Sequence, residues 1–431
     1  MLVSKRGKDV NMNAKGCFGL LLYCLSNKTD WTESRLHRIS MSDWDHVIQL
    51  AIRHDIAPLL YYRLKKFDRI ADVPPTFIQR LQEIYFYNAA RNMRLYSDFS
   101  EVCNVLTGQG IEVIALKGLH LAEMVYGDVA LRQMRDMDLL VRRQDLPRAQ
   151  DALLEMGYGP ESRARIEEQC LTQHHLVPFT KRGAPPIEIH WSITPPNSPF
   201  KVDMDELWGR AEQTKIADVP VLLLSPEDLL MHLCLHASFN HKFNSFALKN
   251  ACDIHETMSY YQDDIDWERI GSTADDPEIA RYLLCTLQLV RGLLGTEMPL
   301  PIHNIMKNKD SDRELVKNLF SRALFPNLLQ GFLASFMREP DVLSMLKSTT
   351  TFSGKVMTAF KSFFPSRGHL REKYSLSRDS KKVYLFYLFH LLDVFIRGLL
   401  LLIPKRMKER AAESFFEGDA GNAVMRKWSE L

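Results

Sequence analysis

Apolar residues recur at helical spacing over the first hundred positions. Ser42 precedes Asp43-Trp44-Asp45 as a cap would, and Trp44, Ile48 and Ala51 follow on one face. Phe86, Ala89, Met93, Tyr96, Phe99, Cys103 and Leu106 form a longer stripe that ends at Gly108 and Gly110. That stripe predicts a long helix packed along those residues. Ahead of both, the apolar run Cys17-Phe-Gly-Leu-Leu-Leu-Tyr-Cys24 follows a basic start. It is short for a secretory leader and has no clean small-residue cleavage site, so it predicts a first core helix.

The pattern changes at Ile111. Ile111–Leu116, Met137–Val141 and Ile187–Trp191 are short, β-branched or alternating runs that read as strands. Between the last two, Asp145–Met156 reads as a helix stopped by Gly157. Helices return after Val219-Pro220. Ser225-Pro226-Glu227-Asp228 joins an N-cap serine, a proline at the first helical position and two acids in the first turn. Further helical patterns cover Tyr282–Leu294, Leu315–Leu333 and Val383–Ile403, and loops are expected at Thr194–Pro199 and Phe364–His369. The expected organisation is a helical region over 1–110, an α+β core over 111–220, and a helical region over 221–431 that holds a basic section.

Bulk numbers add little at first. The 431 residues are 46% hydrophobic and 25% charged, ordinary globular composition for two or three domains. The net charge of +2 gives no general affinity for polyanions. The charge is uneven, however: fourteen Lys or Arg stand against four acids between Val342 and Arg410. That section, with the amphipathic segment Tyr384–Ile403, fits either a solvated basic face or peripheral contact with an anionic membrane. Within the segment, His390, Asp393 and Arg397 share one helical face and argue against a membrane-spanning helix. Seven cysteines with no C-x-x-C pair fit buried, reduced thiols and a cytoplasmic location.

The candidate chemistry centres on Arg135-Asp136-Met137-Asp138-Leu139-Leu140-Val141. Alternate residues of a strand share a face, so Asp136 and Asp138 point one way and Met137 and Leu139 the other. Two close carboxylates repel unless a cation neutralises them, and Mg²⁺ or Mn²⁺ takes such oxygens together with substrate phosphates. D-x-D alone also occurs in surface turns. Here it has company. Lys117-Gly118 ends an upstream strand, Arg132 lies just before the pair, and Glu188 in a later strand offers a third carboxylate. Lysine and arginine suit phosphate, and glycine lets the backbone approach it. Three carboxylates suit an in-line phosphoryl displacement assisted by two metals. His190 falls on the Glu188 side of its strand and fits a role orienting a ligand; His174 and His175 are structural or substrate histidines. His236 and Asp253 fit either a packing hydrogen bond across helices or substrate contact. His232 and His236 stand i,i+4 without the intervening residues of a zinc-peptidase motif. The sequence holds no Walker A loop, Rossmann fingerprint or G-x-S-x-G elbow.

The blocks Ile114-Ala-Leu-Lys-Gly-Leu-His120, Tyr126, Leu131–Val141, Gly157-Tyr158 and Glu188-Ile-His-Trp191 resemble a family of uncharacterised bacterial nucleotidyltransferases. That family belongs to the polymerase-β nucleotidyltransferase superfamily. Asp253, Asp266-Trp267 and Phe364–Tyr374 resemble its later sections. The resemblance implies a small mixed sheet with helices, flanked by helical regions. It implies Asp136, Asp138 and Glu188 as metal ligands, with Lys117, Gly118 and Arg132 near the nucleotide phosphates. Two departures stand out: Lys-Gly replaces the superfamily's Gly-Ser, and Glu188 stands where Asp is commoner.

The expected activity is metal-dependent transfer of a nucleoside monophosphate from an NTP to an acceptor hydroxyl, with release of pyrophosphate. A small molecule, sugar or protein suits the acceptor better than nucleic acid, because no basic-aromatic platform flanks the acids. The competing expectation is a catalytically weak nucleotide-binding or scaffold protein on the same fold.

Overall fold

The computed structural model describes residues 14–26, 39–162, 165–240, 248–273 and 276–302. All of these lie in one compact unit. The helices expected at 315–333 and 383–403, the loop at 364–369 and the basic section lie outside the described residues.

The chain opens with helix α1 (Ala14–Leu25), as the run between Cys17 and Cys24 predicts. Leu20, Leu21 and Cys24 are fully buried, so this segment is core. Helix α2 (Met41–Arg53) follows, and its cap is Ser40 rather than Ser42. The Ser40 hydroxyl accepts from the Asp43 backbone N–H at 3.1 Å and donates to the Asp43 carboxylate at 2.7 Å. Ser40 and Ser42 each have an acid three residues on, Asp43 and Asp45, and Ser40 takes the cap because its hydroxyl holds the Asp43 N–H. Helix α3 (Ala57–Lys66) carries buried Arg63, which is bonded to Glu256.

Helix α4 (Pro75–Gly108) is the long helix the stripe predicts, but its first half buries another face. Phe86 and Met93 are 59% and 65% exposed, while Asn88 and Asn92 are buried. The two amides donate to the carbonyls of Val129, Ala130 and Arg132, at distances from 2.6 to 3.3 Å. The loop that leads to the acidic motif has carbonyls to satisfy, and asparagines on the packed face satisfy them. The second half, with Tyr96, Phe99, Cys103 and Leu106, packs as the stripe predicts.

Among the described residues the sheet has seven strands. In chain order they are β1 (Ile114–Ala115), β2 (Met137–Leu140), β3 (Gly159–Pro160), β4 (Phe179–Thr180), β5 (Ile187–His190), β6 (Glu212–Ile216) and β7 (Val219–Leu223). Across the sheet the order is β3-β4-β5-β2-β1-β7-β6. β2 runs parallel to β5 and antiparallel to β1, and β1 runs parallel to β7. The sheet is therefore mixed, as the α+β expectation has it. Helix α5 (Gly118–His120, continued by a π turn Leu121–Val125) leaves β1, and helix α6 (Leu146–Glu155) leaves β2 and stops at Gly157, whose φ is +84°.

The expected return to helices at Val219 is corrected. β7 spans 219–223 and closes a tight hairpin with β6, so position 220 lies inside a strand. Ala217 and Asp218 form its two-residue turn with φ of +49° and +63°. Left-handed φ at both positions is the hairpin geometry that Asn-Gly usually signals. Ala-Asp hides it, and the turn is held instead by the Glu123 carboxylate on the Ala217 N–H. Pro220 is tolerated because β1 reaches β7 only at Leu222.

After the sheet come α7 (Pro226–Leu235, continued by a π turn His236–Asn240), α8 (Leu248–Tyr260), α9 (Trp267–Thr273) and α10 (Pro277–Leu294). Ser225 caps α7 through the Asp228 N–H, as expected. All seven cysteines are free and buried. No helix among the described residues is long and apolar enough to cross a membrane.

Two buried histidines give the fold an acid-sensitive element. His54 at the end of α2 has its pKa pushed down to about 4 by burial and then by Arg53. His120 in α5 is pushed down to about 3 by burial. Both folded values lie below the unfolded value near 6.5, so the unfolded chain binds more protons between those limits. Stability therefore falls as pH drops from about 6.5, each histidine adding a slope that approaches about 1.4 kcal/mol per pH unit. The urea midpoint is expected to be lower at pH 5 than at pH 7, and His120→Gln is expected to reduce that difference. Equal midpoints at the two pH values would contradict it.

Candidate active site

The parallel pairing of β2 and β5 makes Asp138 and Glu188 register partners, with Leu140 opposite His190 two residues on. Met137, Leu139, Ile187 and Ile189 are fully buried on the opposite face. Side chains of a strand alternate, so core burial of that set forces Asp138, Glu188 and His190 to one side. His190 Nε2 lies 3.0 Å from Asp138 Oδ1 and 3.5 Å from Glu188 Oε2. Lys117 Nζ lies 3.3 Å from the same Asp138 oxygen. Asp138, Glu188 and His190 each present one donor atom within 4.8 Å of the other two. Two oxygens and an imidazole nitrogen so close together form a donor set that a divalent cation fits.

Asp136 stands one residue before β2 and is half-buried. It is not part of that close trio, and it has no hydrogen bond or ion pair among the described residues. It still faces the same field. Burial pushes its carboxyl pKa up, and the charges of Asp138 and Glu188 push it further, while Lys117 and Lys249 oppose. Asp138 shows the opposite result. Burial acts to raise its pKa, but Lys117 and the His190 hydrogen bond more than offset it, and the carboxyl lies well below the usual range. Glu188 is lowered, first by its hydrogen bond with His190, against burial. Burial lowers the His190 pKa, but the hydrogen bonds with Asp138 and Glu188 outweigh it and leave the value raised. Asp138 and Glu188 are thus shifted toward the ionised form and Asp136 away from it.

Lys117 follows β1 with φ +39° and ψ −100°, an uncommon conformation for a residue with a side chain. The Leu116 N–H donates to the Asp138 carbonyl at 3.0 Å, which fixes the turn against β2. Gly118 lies under Arg132: a Cβ there would meet Arg132 Nη1 at 3.0 Å and Met134 Sδ at 3.1 Å. In the structure the glycine makes room for the guanidinium rather than for an exposed backbone approach.

Arg132 is buried, and its Nε and Nη2 each donate to the Asp253 carboxylate of α8 at 3.0 Å. The Tyr126 hydroxyl donates to the same carboxylate at 2.9 Å. The guanidinium fork faces Asp253, so the expected bidentate grip on phosphate is not the arrangement observed. Asp253 is engaged with the loop before β2, while the His236 ring packs edge-on to His232 with centroids 6.1 Å apart.

One residue near the acids, Lys249, was not singled out from the sequence, and His174, His175 and His232, which were, lie in the field of the same acids. Lys249 on α8 is half-buried and lies 3.5 Å from Asp55, which also accepts Arg135. It is i,i+4 from Asp253, a spacing that places both on one helix face and was available in the sequence. His232 is buried, and the site's charges act on its pKa: burial lowers it first, then Lys117 and His190. His174 and His175 gather with His190, the three ring centroids 4.8 to 5.5 Å apart, joined by a bridge between His175 and β5. Only that long-range pairing brings them there, and no local pattern announces it.

A small mixed sheet flanked by helices, with acids gathered where two parallel strands lie side by side, is the α+β class the resemblance implies. Residues 40–295 match the family model described as "Uncharacterised nucleotidyltransferase", and with more than half of the chain covered, the protein belongs to that family. It is a nucleotidyltransferase, an enzyme of the transferase class. The solution structure of the antibiotic-resistance factor ANT(2'')-Ia is similar at 11% identity over 39% of this chain and 84% of that one, with a TM-score of 0.29. No curated protein matches the chain.

Proposed function

We propose that the protein transfers a nucleoside monophosphate from an NTP to an acceptor hydroxyl, with Mg²⁺ or Mn²⁺ held by Asp138, Glu188 and Asp136. The observation that carries this reading is the register pairing of Asp138 with Glu188 beside Lys117. A bound divalent ion would supply Lewis-acid neutralisation of phosphate charge. His190 holds the Asp138 and Glu188 carboxylates in place. Lys117 and Lys249 supply positive charge for the triphosphate. Arg132 acts through Asp253, fixing the loop that presents Asp136, and Gly118 lets it lie there. In the reaction the acceptor oxygen bonds to the α-phosphorus, the bond to the β-phosphate bridge breaks and pyrophosphate leaves. The hydroxyl proton passes to a carboxylate of the site. The expected domain limits, 1–110, 111–220 and 221–431, are kept as part of this proposal, with the core extended to include β7. Free buried thiols support a cytoplasmic location.

The test is incubation of the purified chain with α-labelled NTPs, Mg²⁺ or Mn²⁺ and a cell extract. Label on a protein, sugar or small-molecule acceptor, lost with EDTA, supports the proposal. No label with any of the four nucleotides sinks it. The rival reading is a catalytically weak nucleotide-binding or scaffold protein, favoured by the His190 ring lodged against both carboxylates. It expects nucleotide binding by calorimetry without label transfer. Lys249→Met is expected to raise KM for the NTP about tenfold, the worth of roughly 1.4 kcal/mol of lost phosphate attraction. An unchanged KM would remove Lys249 from the site.

A further inference from the structure

Away from the strands, Cys17, Asp43 and His46 bring a sulfur, a carboxylate oxygen and an imidazole nitrogen within 4.8 Å of one another. Cys17 comes from α1, and Asp43 and His46 stand i,i+3 on the first turns of α2. We propose that these three residues form a second metal site, for Zn²⁺, that clamps α1 to α2. The Cys17 thiol donates to Asp43 Oδ1 at 3.8 Å. A tetrahedral zinc with ordinary Zn–S and Zn–O bonds sets its sulfur and oxygen ligands about 3.6 Å apart. The pair therefore already stands near ligating separation. The other Asp43 oxygen takes the Ser40 hydroxyl at 2.7 Å, which turns Oδ1 toward the sulfur. Such a hydrogen bond behind a carboxylate ligand is the usual way its orientation is held. The His46 imidazole is exposed and has no hydrogen bond among the described residues, so it is available as the third ligand.

Cys17, Asp43 and His46 offer a soft and borderline set that favours zinc over magnesium. Cys17 is buried and His46 faces solvent, so water completes the fourth position. The thiol proton leaves to solvent as the ion enters. Cys17 lies outside the matched segment and the other two lie inside it, so the clamp attaches a helix that precedes that segment.

The experiment uses the full chain, stripped with a chelator and titrated with Co²⁺. One equivalent is expected to give a thiolate-to-cobalt charge-transfer absorption, displaced by Zn²⁺. The carboxylate–imidazole site at Asp138 has no thiol and cannot produce that absorption, so Asp138→Asn is expected to keep it. Cys17→Ser is expected to lose it, and His46→Ala, a surface change that leaves the fold alone, to weaken the ion on the order of a hundredfold. Zn²⁺ is expected to raise the melting temperature of Asp138→Asn, in which the carboxylate–imidazole site is disabled, but not of the double variant Asp138→Asn/Cys17→Ser. An absent band in the wild type overturns the proposal. So does a band that survives Cys17→Ser, or an affinity unchanged in His46→Ala.

Discussion

Asp136→Asn is expected to abolish nucleotidyl transfer and at the same time to raise the melting temperature of the nucleotide-free protein. The two effects share one cause. In the folded chain the Asp136 carboxylate is half-buried, lacks a hydrogen bond and faces the charges of Asp138 and Glu188, so its pKa is raised. A carboxyl whose folded pKa exceeds its unfolded value destabilises the fold wherever it is ionised. Asparagine removes that charge at nearly the same volume. A gain of about 1 kcal/mol corresponds to a few degrees in a domain of this size. The gain should shrink as pH falls and vanish below about 4, where Asp136 becomes protonated in both states. Transfer is expected to fall at least on the order of a thousandfold, the scale on which lost transition-state electrostatics is felt. Scanning calorimetry at pH 7 and pH 4, with the label-transfer assay, checks both halves. Turnover equal to the wild type removes Asp136 from the chemistry, and a lowered melting temperature removes the electrostatic account. A residue kept at a cost to stability is what a functional carboxylate looks like, and a purely structural acid shows no such trade.

How much of this was open to inspection in the chain itself follows from which interactions are local. Asp138 and Glu188 could be read because alternation is a two-residue property, and Met137, Leu139, Ile187 and Ile189 mark the buried face on either side. Their pairing needs only two such strands in one sheet. Helix α7 announced itself through Ser225 and Pro226, whose effects reach three residues. The hairpin of β6 and β7 did not, because Ala217-Asp218 takes left-handed backbone with help from Glu123, far away in sequence. The face of α4 was misread for a related reason. Apolar periodicity favours Phe86 and Met93, whereas the loop at 129–132 requires amides at Asn88 and Asn92. Polar residues that satisfy a distant backbone look like a solvent face until that backbone is in place. The surroundings of Arg132 were hidden likewise: a guanidinium near an acidic motif suggests phosphate, and only the fold puts Asp253 against it.

That ion pair carries the largest stability effect expected in the molecule. Arg132 and Asp253 are both buried, and Arg132 contributes two hydrogen bonds at 3.0 Å. Burial acts to lower the Arg132 pKa, but Asp253 outweighs it and leaves the value raised, so the guanidinium depends on its partner. Removing one member of a buried pair leaves the other charge uncompensated and costs about 3–5 kcal/mol. Asp253→Asn and Arg132→Met are each expected to lose that much in urea unfolding. The double variant is expected to lose clearly less than the sum, because neither charge then remains alone. Kinetics separates this positioning role from direct phosphate binding. If Arg132 acts through Asp253, both single variants should shift kcat and stability together, since the loop that presents Asp136 loosens in either case. A phosphate ligand would instead raise KM for the NTP in Arg132→Met while Asp253→Asn left KM alone. Additive losses in the double variant, or a KM effect confined to Arg132→Met, would return Arg132 to the nucleotide. The isosteric change at Asp253 matters most here, because it leaves Arg132 in place and removes the charge that holds it.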